Sequence, residues 1–171
     1  MLKLNRTKAQ KVKLTFRKLL VPYDGSRQSD SALRRAVEIA SAQGEGDLLL
    51  LYVVEKILLP PLTGENIKSE KTGHMISREE LLKEIYFDQK KSASRMLEKA
   101  KKALNSKTVK ITTKILYGYP SEVILKSAKD EDVDLIVMGN VGLSGISKLQ
   151  ALGSVSRAVS ERAKCPVMIV H

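Results

Sequence analysis

The sequence has no tryptophan, only two phenylalanines and five tyrosines, and a single cysteine, Cys165. With one cysteine, no intramolecular disulfide can form, so cysteine usage gives no sign of an oxidising compartment. Because aromatic residues are scarce, the core must be aliphatic, and the 43% of hydrophobic residues exclude a disordered chain. Cys165, beside Pro166, is expected to be a partly buried small side chain, since a reactive thiol needs a nearby cation or a helix N-terminus.

The sequence also lacks an apolar run of about 18–20 residues, the length needed to span a bilayer. No apolar stretch typical of a secretory signal occurs near the N-terminus. These absences predict a cytoplasmic protein without a membrane partner. A length of 171 residues predicts one domain.

Acidic residues are missing from residues 1–18, which hold seven lysines and arginines and supply most of the net charge of +11. We expect residues 1–15 to form a basic N-terminal extension before a domain at residues 16–171. Such an arm can attract nucleic acid or an anionic membrane, or it can be a solvated terminus that aids solubility. The absence of aromatic residues for base stacking favours the solvated terminus.

Apolar segments alternate with amphipathic ones along the rest of the chain. Five segments predict strands, at residues 16–23, 47–54, 109–117, 134–138 and 166–170. Four segments between them predict helices, capped by Ser29 or Asp30, by Ser77 with Glu80, by the turn before Pro120, and by Ser154. Residues 55–76 show no period and predict a long loop. This order predicts an α/β fold, a doubly wound five-stranded parallel sheet with helices on both faces.

Ligands of such sheets bind beyond the carboxyl ends of the strands, where the winding direction reverses. Gly139-Asn140-Val141-Gly142 follows a predicted strand and would let backbone amides turn toward an anion. Gly153-Ser154 begins a predicted helix, where free N–H groups favour a phosphate. The alternative is a flexible turn with an ordinary serine cap. Asp24 ends the first strand and is either a ligand for ribose or adenine or the start of an Asx-turn.

Four segments together resemble the universal stress protein family, in its ATP-binding branch. They are LLVPYDGS at the first strand, the helix start with Gly118, Pro120 and Glu122, DLIVMGNVGLSG, and GSVSRAVSERAKCPVMIV. The signature of that branch is Gly, two residues, Gly, nine residues, then Gly-Ser or Gly-Thr. In this chain ten residues separate Gly142 from Gly153.

The resemblance implies an adenine nucleotide alpha hydrolase-like, Rossmann-like fold and a regulatory module that binds ATP, with or without Mg²⁺, as a switch in the stress response. The residues implied to contact the nucleotide are Pro22, Asp24, Leu48, Met138, Gly139, Gly142, Gly153, Ser154 and Val155. It also implies a homodimer through residues 166–170. The alternative is a structural or partner-binding dimer with a degenerate nucleotide site.

The sequence offers no catalytic set and no metal site of its own. The two histidines, His74 and His171, have no partners at metal-ligand spacing. Phosphoryl transfer needs a metal-binding acid and a group that orients the nucleophile. We therefore expect at most slow ATP hydrolysis.

Overall fold

The main sheet contains five parallel strands. The computed structural model describes residues 16–57, 66–104, 106, 108–143 and 152–171, so the basic extension at residues 1–15 lies outside the described residues. The strands of the sheet are β1 (Lys18–Pro22), β2 (Gly46–Glu55), β5 (Val109–Gly118), β6 (Leu135–Gly139) and β7 (Val167–Val170). They lie in the order β5-β2-β1-β6-β7, and every neighbouring pair is parallel.

Four helices connect these strands and cover both faces of the sheet. They are α1 (Arg27–Ala42), α2 (Arg78–Leu104), α3 (Pro120–Asp130) and α4 (Ser154–Arg162). Buried residues of α1 and α2, such as Leu33 and Leu97, pack in one apolar cluster with Leu19 and Leu50. Buried residues of α3 and α4 pack in a second cluster on the other face. The predicted doubly wound sheet is therefore confirmed.

The winding of the sheet reverses between β1 and β6. From β1 the chain moves outward through β2 to β5, and it then returns to place β6 on the other side of β1. The carboxyl ends of β1 and β6 meet at the edge of the sheet where ligands of such folds bind. We call this edge, with the turns that follow the two strands, the carboxyl rim.

The prediction of a structureless loop over residues 55–76 was wrong in part. The segment contains a hairpin in which β3 (Asn66–Lys68) pairs antiparallel with β4 (Met75–Ser77). The buried Ser69 holds its turn, since the Ser69 N–H donates to the His74 carbonyl at 2.8 Å. Strands of three residues are too short to show a period in the sequence.

Helix starts were predicted with mixed success. The Ser77–Glu80 capping box is present: the Ser77 N–H donates to Glu80 at 2.8 Å and the Glu80 N–H to Ser77 Oγ at 3.2 Å. Helix α1, however, begins earlier than predicted, because Ser26 is its N-cap and accepts a hydrogen bond from the Ser29 N–H at 3.1 Å. The cap of α4 is Gly153 and not Ser154, which is the first helical residue.

Within the described residues, no helix is long and apolar enough to cross a membrane.

Candidate functional site

The turn after β1 is organised by the carboxylate of Asp24. Its Oδ1 accepts a hydrogen bond from the Ser26 N–H at 3.0 Å, which is the Asx-turn that the sequence allows. Its Oδ2 accepts a second bond from the Leu143 N–H at 2.9 Å, across 119 residues of sequence. Asp24 therefore forms the predicted Asx-turn and also joins the turn after β1 to the connection after β6, a contact that the sequence did not indicate. Its role as a ligand for ribose or adenine stays a prediction.

The electrostatic state of Asp24 follows from these bonds. Burial alone raises the pKa of the carboxyl, but hydrogen bonds from Ser26 and from the Leu143 N–H outweigh it and hold the pKa below its ordinary value. Asp24 is therefore ionised at neutral pH. The carboxyl rim carries a fixed negative charge next to the connection between β6 and α4.

Two glycines of this connection allow close packing of the turns. A Cβ atom at Gly139 would lie 2.7 Å from the Cβ of Gln28 and 3.0 Å from its backbone carbon. A Cβ atom at Gly142 would lie 2.5 Å from Oδ2 of Asp24. At each position a Cβ would come closer than 3.0 Å to a neighbouring atom, so a larger residue would force Gln28 or the carboxylate of Asp24 to shift.

The far end of the same connection returns to its beginning. The Gly153 N–H donates to the Asn140 carbonyl at 2.8 Å, and the Ser156 hydroxyl donates to the same oxygen at 2.6 Å. The tenth residue between Gly142 and Gly153 therefore does not separate the start of α4 from the turn after β6. Residues 144–151 of the connection lie outside the described residues.

Helix α4 presents an uncapped N-terminus at this rim. Its N-cap is Gly153, which has no side chain to accept a hydrogen bond, and no other side chain among the described residues caps the helix. The first N–H groups of a helix have no partner within it and form its positive end. Ser154 is exposed beside them. This combination is the ordinary protein site for a phosphate group.

The predicted site residues other than Leu48 lie on or next to the carboxyl rim. Pro22 ends β1, Met138 and Gly139 end β6, and Val155 lies in the first turn of α4. Met138 and Val155 also belong to the same apolar cluster on one face of the sheet. The fold thus gathers these residues from three separate segments of the chain.

Leu48 lies elsewhere. It pairs with Leu19 near the amino end of β1, whereas Pro22 pairs with Leu51 at the rim. It is 1% exposed and packs in the core on the face covered by α1 and α2. The half-buried Val53 lies two residues beyond Leu51 and contacts the cluster of Met138 and Val155. Strand register therefore places Val53, and not Leu48, near the carboxyl rim.

Sequence reasoning also gave no role to the side chain of Asn140. Its Oδ1 atom is buried and accepts no hydrogen bond from any residue that the structure describes. A buried amide oxygen without a partner costs free energy, and such orphans in native structures call for an explanation. Asn140 lies between Gly139 and Gly142 of the carboxyl rim.

Comparisons with known proteins show the family of the chain. A model of the universal stress protein family matches residues 15–171. The chain belongs to this family. It is 37% identical over 156 residues to universal stress protein YxiE of Bacillus subtilis, covering 91% of this chain and 99% of that protein.

Solved structures of the family share the fold. The structure of MJ0577 from Methanocaldococcus jannaschii matches with a TM-score of 0.74 and 27% identity, over 92% of this chain and 96% of that one. A universal stress protein solved in complex with cAMP matches with a TM-score of 0.63 and 24% identity, over 92% of this chain and 98% of that one. At that identity the second likeness concerns the fold alone.

Proposed function

We propose that this universal stress protein binds an adenine nucleotide, ATP in the first place, at the carboxyl rim and acts as a nucleotide-dependent switch in the stress response. The observation that carries the proposal is the uncapped N-terminus of α4, held beside the turn of Asp24 by the hydrogen bond from the Gly153 N–H to Asn140. The positive end of α4 suits the phosphates of a nucleotide, and the ionised carboxylate of Asp24 suits its ribose hydroxyls. Both groups lie at the point where the winding of the sheet reverses.

Each part of the nucleotide has a matching group. The phosphates would accept hydrogen bonds from the first N–H groups of α4 and from the Ser154 hydroxyl. The ribose hydroxyls would donate to the carboxylate of Asp24. The adenine would lie against the apolar side chains of Pro22, Met138 and Val53, which line the same rim.

The switch follows from the contact that Asp24 makes in the free protein. Its Oδ2 already accepts a hydrogen bond from the Leu143 N–H. A ribose hydroxyl at that oxygen would share or replace this bond and so change the connection between β6 and α4. The change in that exposed connection is what a partner protein would recognise, an arrangement typical of ligand-controlled loops.

The proposed function is ATP binding and does not include ATP hydrolysis. The acid that we place at the rim is Asp24, and its two oxygens are engaged by backbone N–H groups. Mg²⁺ commonly binds through one or two carboxylates together with the substrate phosphates. Asp24 is the described side chain that would offer such a carboxylate, and it would do so in competition with Leu143.

The complex of a related protein with cAMP supports the choice of adenine. That protein has the same fold and holds an adenine nucleotide. The support is one of architecture, since the identity is low, and the assignment of groups above depends on the geometry of this chain.

The Gly153→Ser variant tests the phosphate site. Serine is a strong N-cap, and a Cβ at this position would have no neighbour closer than 3.4 Å. We expect the free variant to be more stable than the wild type by a few tenths of a kcal/mol. We expect its affinity for ATP to fall, because the new hydroxyl occupies the N–H groups that would hold phosphate. Isothermal titration calorimetry and melting temperatures with and without ATP measure both effects.

A matched control uses the other helix without a side-chain cap. Helix α3 has the exposed Tyr119 as its N-cap and no side-chain hydrogen bond there. Tyr119→Ser should stabilise the free protein and leave ATP affinity unchanged. The proposal fails if ATP neither binds the wild type nor raises its melting temperature, or if Gly153→Ser binds ATP as tightly as the wild type.

A partner-binding dimer with a degenerate nucleotide site is the second candidate, and strand β7 favours it. This strand lies at one edge of the sheet, and Met168 on it is 37% exposed. We propose that a second copy of the chain pairs with this edge, since an open edge strand is a template for pairing. A dimer that forms normally in a protein without ATP binding would favour this second candidate.

A further inference from the structure

A pocket of about 430 Å³ lies where strands β2 and β5 end. Four residues line it, Lys56, Tyr86, Tyr117 and Gly118. Lys56 directly follows β2, Tyr117 and Gly118 end β5, and the remaining tyrosine lies on α2. The volume falls within the range of about 300–1,000 Å³ that small-molecule sites have in proteins. We call this cavity the tyrosine pocket.

The tyrosine pocket is separate from the candidate nucleotide site. Strand β5 is at the edge of the sheet, and β2 and β1 lie between it and β6. Val53, which we place against the adenine, packs in the cluster of α3 and α4. Tyr86 belongs to α2, which covers the opposite face of the sheet. A ligand in the pocket would therefore not occupy the place proposed for ATP.

The two tyrosine rings of the pocket are held at a right angle to each other. The centroids of Tyr86 and Tyr117 are 5.6 Å apart, and their planes meet at 88°. The Ile57 N–H donates to the Tyr86 hydroxyl at 3.1 Å and so ties this ring to the end of β2. Tyr117 is 48% exposed, so part of its ring is open to a ligand. A planar ligand parallel to one ring meets the other edge-on, and aromatic pairs favour both arrangements.

Gly118 keeps one wall of the pocket free of a side chain. Its φ is +143°, in the region that residues with a Cβ rarely adopt. A Cβ at this position would also lie 2.9 Å from Cγ2 of Val123. The backbone conformation and the packing both favour glycine, so this wall is formed by backbone alone.

Lys56 gives the pocket a positive charge. Its side chain is exposed and forms no ion pair with any residue that the structure describes. None of the four lining residues is acidic. An ammonium group near a protein surface attracts an anion more strongly than it would in bulk water. We propose that the tyrosine pocket binds a planar aromatic molecule with an anionic group, its ring against the two tyrosines and its charge at Lys56.

Titration of the full-length protein with 2-naphthoate, a planar aromatic carboxylate, tests the proposal. A ligand of this size with the efficiency typical of small molecules has a Kd on the order of 1 mM. Amide chemical shifts in two-dimensional NMR of the ¹⁵N-labelled protein measure binding in this range. We expect saturable shifts at Lys56, Tyr117 and Gly118. Shifts confined to residues outside the pocket would overturn the proposal.

Two substitutions separate the ring contact from the charge contact. Tyr117→Leu should weaken 2-naphthoate binding about 2- to 10-fold, because it removes one aromatic pair. Lys56→Gln should weaken it about 2- to 5-fold and leave the binding of neutral 2-naphthamide unchanged. Both side chains are exposed, and far-ultraviolet circular dichroism checks that the variants fold. Equal affinity of the wild type for 2-naphthoate and 2-naphthamide would refute the selection of an anion.

Phe87→Leu and Lys90→Gln on α2 are the matched controls. Phe87 is 65% exposed, Lys90 is exposed without an ion pair to a described residue, and neither lines the pocket. Both variants should bind 2-naphthoate as the wild type does. Losses equal to those of the pocket variants would show general binding to exposed rings and charges and overturn the proposal.

A competition experiment keeps this proposal distinct from the proposed function. An excess of ATP should leave the affinity for 2-naphthoate unchanged, whether or not ATP binds at the carboxyl rim. Displacement of 2-naphthoate by ATP would place both ligands in one site and contradict a separate tyrosine pocket.

Discussion

Replacing Gly142 with alanine tests the contact that joins the two turns of the candidate site. The added Cβ would lie 2.5 Å from Oδ2 of Asp24, the oxygen that accepts the Leu143 N–H. Gly142 does not have a positive φ, so alanine meets no backbone strain there. The substitution therefore perturbs the packing against Asp24 and leaves the backbone preference of the residue satisfied.

The expected loss of stability follows from one charged hydrogen bond. If the carboxylate turns away from the new methyl group, the bond from the Leu143 N–H to Asp24 is lost, at about 1.5–3 kcal/mol. Alanine also lowers the entropy of the unfolded chain relative to glycine, which stabilises the folded state by about 0.4–1 kcal/mol. Leu143 is exposed, so water partly replaces the lost bond. We therefore expect the free energy of unfolding to fall by about 1 kcal/mol.

A double-mutant cycle separates this contact from other effects. In an Asp24→Ala background the oxygen is absent, so Gly142→Ala should cost nothing there or stabilise slightly. The chain has no tryptophan, so urea unfolding is followed by far-ultraviolet circular dichroism. Gly153→Ala is the steric control, since its Cβ would have no neighbour within 3.4 Å. Additivity of the two substitutions within about 0.5 kcal/mol would refute the reasoning.

Three further predictions concern other parts of the site and the sheet edge. Leu48→Ala should destabilise the fold by about 2–5 kcal/mol without weakening ATP binding to the folded protein. Val53→Ala should weaken ATP binding at a small cost in stability. Urea unfolding measures the stability of both variants, and calorimetry measures their ATP binding. Because the pKa of Asp24 is lowered in the folded state, the stability it adds is present above its unfolded pKa of about 4 and is lost as the pH falls through the folded value. The gap in urea midpoint between wild type and Asp24→Asn should therefore begin to shrink near pH 4 (about the unfolded pKa) and shrink further as the pH falls, and a constant gap would contradict this. Met168→Lys on β7 should convert the proposed dimer to a monomer in sedimentation velocity, and an unchanged dimer would exclude pairing through this edge.

The order of helices and strands was predictable because each buried strand is a continuous apolar run. Leu19 to Val21 and Leu135 to Met138 are buried on both faces of the sheet, which only covered parallel strands require. The half-exposed pattern of β5 likewise predicted a strand near an edge, and β5 is an edge strand. Family membership, suggested by four short segments, is confirmed over residues 15–171.

Register was not predictable in the same way. Every residue of the run from Leu48 to Leu51 is apolar, so the sequence alone does not say which of them reaches the carboxyl rim. Pairing with β1 decides it: Leu48 lies opposite Leu19 and Leu51 opposite Pro22. Register thus places Leu48, which the resemblance assigns to the nucleotide site, several residues before the carboxyl rim. The hairpin of β3 and β4 was missed for a related reason, since its strands have three residues each.

The glycines of the carboxyl rim have two different structural roles, close packing of the turns and an uncapped helix start. From the sequence, Gly139 and Gly142 predict freedom for backbone amides to face an anion. In the structure another group packs tightly against each of them, Gln28 in one case and the carboxylate of Asp24 in the other. The groups that remain free to bind a phosphate are those at the start of α4, where Gly153 leaves the helix uncapped. The first glycine pair therefore sets the distance between the two turns, and the last glycine leaves the donors available. Substitutions in the first pair should lower stability and binding together, whereas a cap at Gly153 should raise stability and lower binding. That opposite sign is what distinguishes a nucleotide site from an ordinary turn.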